Sequence, residues 1–266
     1  MGKEKTIGKC KLCGKETQLT YEHVPPRATF NSSCVKVVTD NEIKRLRTEK
    51  NRLPWDLKRL QRLFLQRGNG GYYLCEKCNS IMGAWYVPKY NDFVFSVHDR
   101  VDKIITEDDY SSENVIQVYA KSIYPLAIVK QIITMFCDIN NQYFGDDSIQ
   151  EFLLNKESRT FDKKKYRVFI HIAKGTLEKQ VPLMVKKYDN IAAPISLSEI
   201  VTYPIGFTLY IDVPTEYIPK GLEITYFADY QYSKCCDIVL NIPILECNTS
   251  IPGDYRTKEE ILKYKD

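Results

Sequence analysis

The sequence predicts an α+β protein in two unequal parts, and three observations lead there. Two Cys-x-x-Cys turns, Cys10/Cys13 and Cys75/Cys78, both fall in the first part. Charge divides the same way: residues 1–96 carry 18 Lys and Arg against 9 Asp and Glu, net +9, while residues 97–266 carry 20 against 25, net −5. In the second part, helix-like segments are followed by a run of strand-like ones separated by Gly, Pro, Asn and Asp, the order expected of an α+β domain with a mostly antiparallel sheet. Residues 1–96 are therefore read as one domain and 97–266 as another, with the polar, acidic stretch 106–114 as the boundary region.

Composition excludes several classes. A chain of 266 residues is long enough to bury a core. Apolar content of 44% and charged content of 27% argue against a disordered chain. The first residues carry charge without an apolar run, so no secretory signal is expected. The most apolar segment, Pro125 to Cys137, is interrupted by Lys130 and Gln131 and is too short to span a bilayer. A cytoplasmic protein without a membrane partner is the expectation. The cysteine count, nine, is odd, which disfavours a disulfide scaffold. Cys34, Cys137, Cys235, Cys236 and Cys247 lie outside the paired turns and are expected to be reduced packing residues.

Along the chain, residues 9–14 read as a knuckle in which a short loop aims two thiolates at one ion, with Gly14 suited to the turn. Thr17 to Val24 is rich in strand formers, and Pro25-Pro26 ends it because proline offers no N–H to a ladder. The most basic stretch is 36–67, where Leu53, Leu57, Leu60 and Phe64 recur at helical spacing. That spacing predicts a helix with Lys58, Arg59 and Arg62 facing outward, ended by Gly68, Gly70 and Gly71. Its outward charges suit either a phosphate-gripping helix or the solvated surface of an insertion. Tyr72 to Leu74 reads as a strand that delivers Cys75, and Asn79 to Val87 as a short helix ending before Pro88. Tyr124 to Asn140 is apolar nearly all round, so it predicts a buried helix with Pro125 in its first turn. A shorter helix follows at 147–155. Strands are then expected at 166–173, 181–187, 199–203, 207–213, 223–228 and 237–244.

The four paired cysteines carry the clearest chemistry. Zinc takes four soft ligands in a tetrahedron, and each Cys-x-x-Cys turn supplies two of them, here with 61 residues between Cys13 and Cys75. A redox dithiol is the competing reading, but no thioredoxin-like βαβ context surrounds either turn. Next stands Glu22-His23. The chain has three histidines, and His98 and His171 are read as structural. A carboxylate can hold a divalent ion, and a neighbouring imidazole with a pKa of about 6.5 can take a proton from water. Phosphodiester hydrolysis needs both parts, an activated water and a cation that offsets charge on phosphate and leaving oxygen.

Taken together, Cys10-Lys-Leu-Cys13, Glu22-His23-Val24-Pro25-Pro26 and Cys75-Glu-Lys-Cys78-Asn79 resemble the HNH, or ββα-metal, endonucleases of the zinc-braced kind, over roughly residues 9–90. The resemblance implies a small zinc-braced ββα-metal nuclease domain in front of the α+β domain. It implies that Glu22 and Asn79 are ligands of a catalytic Mg2+ or Mn2+, that His23 is the general base, and that the cysteines hold a structural zinc. Asn69 is nearest to the family's middle Asn, one residue off in its spacing to Asn79, and 36–67 becomes an insertion in the hairpin. Arg27 is a candidate phosphate contact or a surface ion pair. The family mostly cuts DNA, so nucleic acid, with DNA foremost, is the expected partner. The tail Ile251 to Lys258 resembles bacterial HNH proteins that carry a C-terminal domain of unknown role. The charge split suggests an effector in phage defence, with the second domain sensing an activating ligand or mediating homo-oligomerisation. The competing class is a non-catalytic, zinc-braced nucleic-acid-binding module.

Overall fold

The computed structural model describes residues 6–39, 41–42, 45, 60–107, 115–140, 147–173, 177–189, 191, 193–245 and 262–263. The chain is α+β, with mostly antiparallel sheets. Strands β1 (Ile7–Lys9), β2 (Glu16–His23) and β5 (Gly70–Cys75) form a three-stranded antiparallel sheet in the order β1-β2-β5. The chain between β2 and β5 carries a two-stranded ribbon, β3 (Val35–Val37) with β4 (Leu63–Leu65). Helix α1 (Glu76–Trp85) leaves β5 directly, so β2, β5 and α1 make a strand–strand–helix unit.

Two expectations fail in this part. Leu63 to Leu65 is a strand rather than the end of a helix, and Leu63 and Phe64 are more than half exposed, so they form no buried stripe. A short apolar run fits a strand as well as a helix turn, and pairing with β3 decides between them. Leu60 to Arg62 are not helical either, with Leu60 buried and Arg62, expected to face outward, partly buried; the earlier part of that expected helix, including Lys58 and Arg59, lies outside the described residues. Pro88 does not end helical structure either. Helix α2 (Val87–Glu107) begins beside it, because proline in a first turn has no N–H to waste. Tyr86 N–H still donates to the Met82 carbonyl and Tyr90 N–H to that of Tyr86, so the two helices nearly merge.

Helix α2 also runs without a break across position 96/97, where the domain boundary is expected. Phe93, Val94, Val97 and Val101 on that helix are buried in a core that reaches from Leu12 and Leu74 on one side to Val168 and Phe207 on the other. The two halves therefore share one core instead of meeting at a linker. Of the expected boundary stretch, Thr106 and Glu107 finish α2, and 108–114 lies outside the described residues.

That core surrounds α3 (Pro125–Ile139), whose residues are all buried, as its all-round apolar pattern predicts. It touches α1, β5, the short helix α4 (Asp147–Leu154) and the large sheet. The large sheet has seven strands: β6 (Val115–Ile123), β12 (Cys236–Leu245), β7 (Tyr166–Ala173), β10 (Ile205–Ile211), β9 (Ile195–Thr202) and β8 (Lys179–Lys186) in that order, with β11 (Leu222–Glu223) on β7. All pairings are antiparallel except β12 with β7. Strand β6 is an addition to the expected set; its alternation places Ile116, Val118 and Ala120 inward. The expected strand at 223–228 is cut short. Thr225–Asp229 turns into a 3-10 helix, and Thr225 Oγ1 accepts the Val168 N–H at 2.9 Å that a ladder would have used. Cys137 is buried as expected, whereas Cys34 and Cys235 are exposed and Cys247 lies outside the described residues. Among the described residues no helix is long and apolar enough to cross a membrane.

Candidate functional site

The knuckle after β1 is shaped by its own backbone. Gly14, at φ +70°, closes the turn by donating to the Cys10 carbonyl at 2.9 Å, and the Lys11 N–H ties the turn to Tyr73 of β5 at 3.0 Å. Strand β5 then delivers Cys75, and the first turn of α1 delivers Cys78. The four sulfurs of Cys10, Cys13, Cys75 and Cys78 lie within 4.8 Å of one another, with Cys13 and Cys75 3.9 Å apart. Four thiolates at a Zn–S distance of about 2.3 Å define a tetrahedron of edge about 3.8 Å, so the cluster fits zinc. The helix N-terminus also favours negative charge there. Without an ion the thiols share protons: a hydrogen bond with Cys78 draws the Cys10 thiol down to about 4, and Cys78 is pushed up in return.

Glu22 and His23 are the last two residues of β2, and a strand points successive side chains to opposite sides. On one side lie Thr20 and Glu22. Asn79 Nδ2, from α1, donates to Thr20 Oγ1 at 3.0 Å, which marks this as the helix-facing side. Glu22 is 8% exposed, and burial pushes its carboxyl up to about 7. On the other side Tyr21 and His23 meet edge to face at 5.1 Å, with Tyr72 beside Tyr21 at 5.6 Å. The structure thus brings Glu22 and Asn79 to one face and sets His23 on the opposite, partly exposed face.

His23 is held firmly there. Its Nε2 lies 2.8 Å from the Arg67 carbonyl oxygen. A carbonyl only accepts, so Nε2 carries the hydrogen and Nδ1 of the neutral ring keeps its lone pair. Beyond His23 the chain is pinned by a residue that the sequence did not single out. Asn31 Nδ2 donates to the carbonyls of Pro25 and Asn69 at 2.7 Å, and its Oδ1 accepts the Asn69 N–H at 2.6 Å. Asn69 itself acts through its backbone, its carbonyl also accepting the Val24 N–H at 3.0 Å. Gly68 must be glycine: φ is +89°, and a Cβ would stand 2.3 Å from the Asn31 carbonyl oxygen. The clamp between the turn after β2 and the start of β5 is therefore Asn31, a loop residue with no sequence signal beyond its type.

The basic residues distribute unevenly. Arg27 is exposed on the turn after His23, and Arg67 is exposed at the carbonyl that holds His23. Arg62 is partly buried just ahead of β4, and Arg45 is paired with Glu42 at 2.9 Å. His98, expected to be structural, lies 4.5 Å ring to ring from Phe30, and His171 is buried in β7. No family model, curated protein or solved structure matches this chain.

Proposed function

We propose that the chain is a metal-dependent endonuclease that hydrolyses phosphodiester bonds, with DNA as the first substrate to test. The observation that carries this reading is His23, fixed at the end of β2 by the Arg67 carbonyl with Nδ1 left to act as a base, inside a strand–strand–helix unit braced by four thiolates. His23 would take the proton from the attacking water through Nδ1. Glu22 and Asn79 supply oxygen donors that suit Mg2+ or Mn2+, an ion that would offset charge on the phosphate and leaving oxygen. Arg27 and Arg67 lie exposed near His23, where they could meet flanking phosphates. The cysteine cluster would serve as scaffold, with Cys78 placing the adjacent Asn79 at the start of α1.

Zinc-loaded, full-length protein incubated with plasmid and Mg2+ or Mn2+ should produce nicks, and His23→Ala should not, at unchanged zinc content. Undiminished nicking by clean His23→Ala protein would end the assignment. A second reading, a binding module without catalysis, is favoured by the separation of Glu22 and His23 onto opposite faces. Metal-independent binding of DNA with no nicks under any divalent ion would select it.

A further inference from the structure

The turn after β2 holds an aromatic residue in a costly conformation. Phe30 has φ +65°, in the left-handed region that a bulky side chain rarely adopts. Such strain costs free energy, and it gathers where a ligand is held. Packing does not account for it, because Phe30 stays 46% exposed. The backbone on either side is fixed by other bonds. The Thr29 N–H donates to the Pro26 carbonyl at 2.9 Å, and Asn31 Nδ2 reaches the carbonyls of Pro25 and Asn69 at 2.7 Å. The turn therefore presents the Phe30 ring and does not depend on it to close.

Other rings gather around it. Phe95 of α2, 37% exposed, meets Phe30 edge to face at 5.7 Å. His98, also on α2, lies 4.5 Å from Phe30 with the ring planes tilted by 32°, and Tyr203 meets His98 at 6.4 Å. An apolar cleft lined by Pro25, Tyr90, Ile205 and Phe207 adjoins Phe30. The charges nearby are divided. Asp99 lies 3.8 Å from His98 Nδ1, and Asp102 bears on Tyr203. Arg27 stands exposed on the same turn as Phe30, and Arg67 is exposed at the carbonyl that bonds His23. An apolar peptide would gain nothing from these arginines, whereas the net positive charge of residues 1–96 favours a polyanion. A nucleotide satisfies both features, its base against an aromatic face and its phosphate against a guanidinium. A duplex keeps its bases stacked inside, so the base that fits is an unpaired one.

We infer that Phe30 and Phe95 form a stacking site for an unpaired base of a single-stranded nucleic acid, with Arg27 on the adjoining phosphate. This narrows the substrate class of the proposed nuclease from nucleic acid at large to a strand with an unpaired base, and in that sense it rests on that reading; the binding is measured separately from cutting.

The test is fluorescence anisotropy of a short, fluorescein-labelled oligothymidylate, and of a duplex of the same length, titrated with zinc-loaded, full-length protein without added Mg2+ or Mn2+. Phe30→Leu keeps an apolar side chain but no ring, and should weaken strand binding about tenfold while duplex binding stays where it was. Phe30→Tyr should restore strand binding, and Arg27→Ala should weaken it and flatten its dependence on salt. No binding of the strand by wild type at low salt, wild-type affinity in Phe30→Leu, or an equal loss on strand and duplex overturns the inference. Should Phe30→Leu not fold, Phe30→Gly decides by the same titration, because glycine fits φ +65° without strain. Cleavage is scored in parallel after Mg2+ is added. Ring-dependent strand binding without cleavage sustains this site and sinks the nuclease; cleavage at the wild-type rate by Phe30→Leu, on single strands and plasmid alike, does the reverse.

Discussion

Two buried carboxylates, Glu199 in the large sheet and Asp138 at the junction with the hairpin, meet opposite fates. Glu199 of β9 accepts a hydrogen bond from Lys179 Nζ of β8 at 2.8 Å and has His171 of β7 3.7 Å from its other oxygen. Its charge is answered by neighbouring strands of one sheet. Asp138 has only the Lys11 charge, whose ammonium bonds the Asn140 carbonyl instead, and neither carboxylate oxygen accepts a hydrogen bond. The same contrast holds for the two regions at large. The sheet half encloses α3 in apolar side chains, whereas the hairpin half leaves Leu63 and Phe64 exposed and gathers around four thiolates. One region pairs its buried charge internally; the other gathers four thiols that could hold a metal ion and buries a carboxylate without a hydrogen bond.

The largest effect that would test this contrast is loss of the brace. Cys75→Ser should remove zinc and destabilise the hairpin by an amount on the order of 10 kcal/mol, seen as lost metal by elemental analysis and protease cleavage confined to the hairpin. A zinc-free hairpin that stays folded would mean that the shared core suffices and the contrast is overstated. Next comes His23→Ala, expected to lower nicking by about 10²–10⁴-fold while urea unfolding stays where it was. In the sheet, Lys179→Ala strands the Glu199 charge and should cost about 3–5 kcal/mol by urea titration, without touching zinc content.

A pH scan sharpens the same point. Burial foremost, with the Lys179 charge adding and Glu199 opposing, draws His171 down to about 4. Below an unfolded value of about 6.5 the unfolded chain takes up a proton that the native fold refuses. Stability from this group should therefore fall as pH drops from about 6.5 towards 4, by something on the order of 3 kcal/mol, and His171→Gln should flatten that slope. Smallest is Gly206→Ala: a Cβ there would lie 2.1 Å from His171 Nε2, and the forced shift should cost about 1–3 kcal/mol.

Much of the secondary structure was legible because its signals are local. The all-round apolar run of α3, the Cys-x-x-Cys turns and the alternation of β7 each need only a short window. The sequence misled where two local readings compete, as at Leu63 to Leu65, where a partner strand decides, and at Pro88, where proline fits the start of a helix as well as its end. Strand β6 went unassigned although its alternation is clear, and the domain boundary was set by charge, which follows surface and not core. The candidate site divides the same way. Residue type and spacing alone selected Cys10, Cys13, Cys75, Cys78, Glu22, His23 and Asn79. Asn31 was invisible, since it matters through the Asn69 backbone brought to it from far along the chain.

By itself the sequence determined the residue chemistry: four thiolates fit for one ion, a carboxylate and an imidazole side by side, and a central helix too apolar to be anything but buried. Only the tertiary structure decided which of those groups face each other. It turned Glu22 inward and His23 outward, because neighbours on a strand cannot share a side, and it drew Leu12 and Leu74 of the hairpin into one core with Val168 and Phe207 of the large sheet, because α2 and α3 bury apolar faces against both.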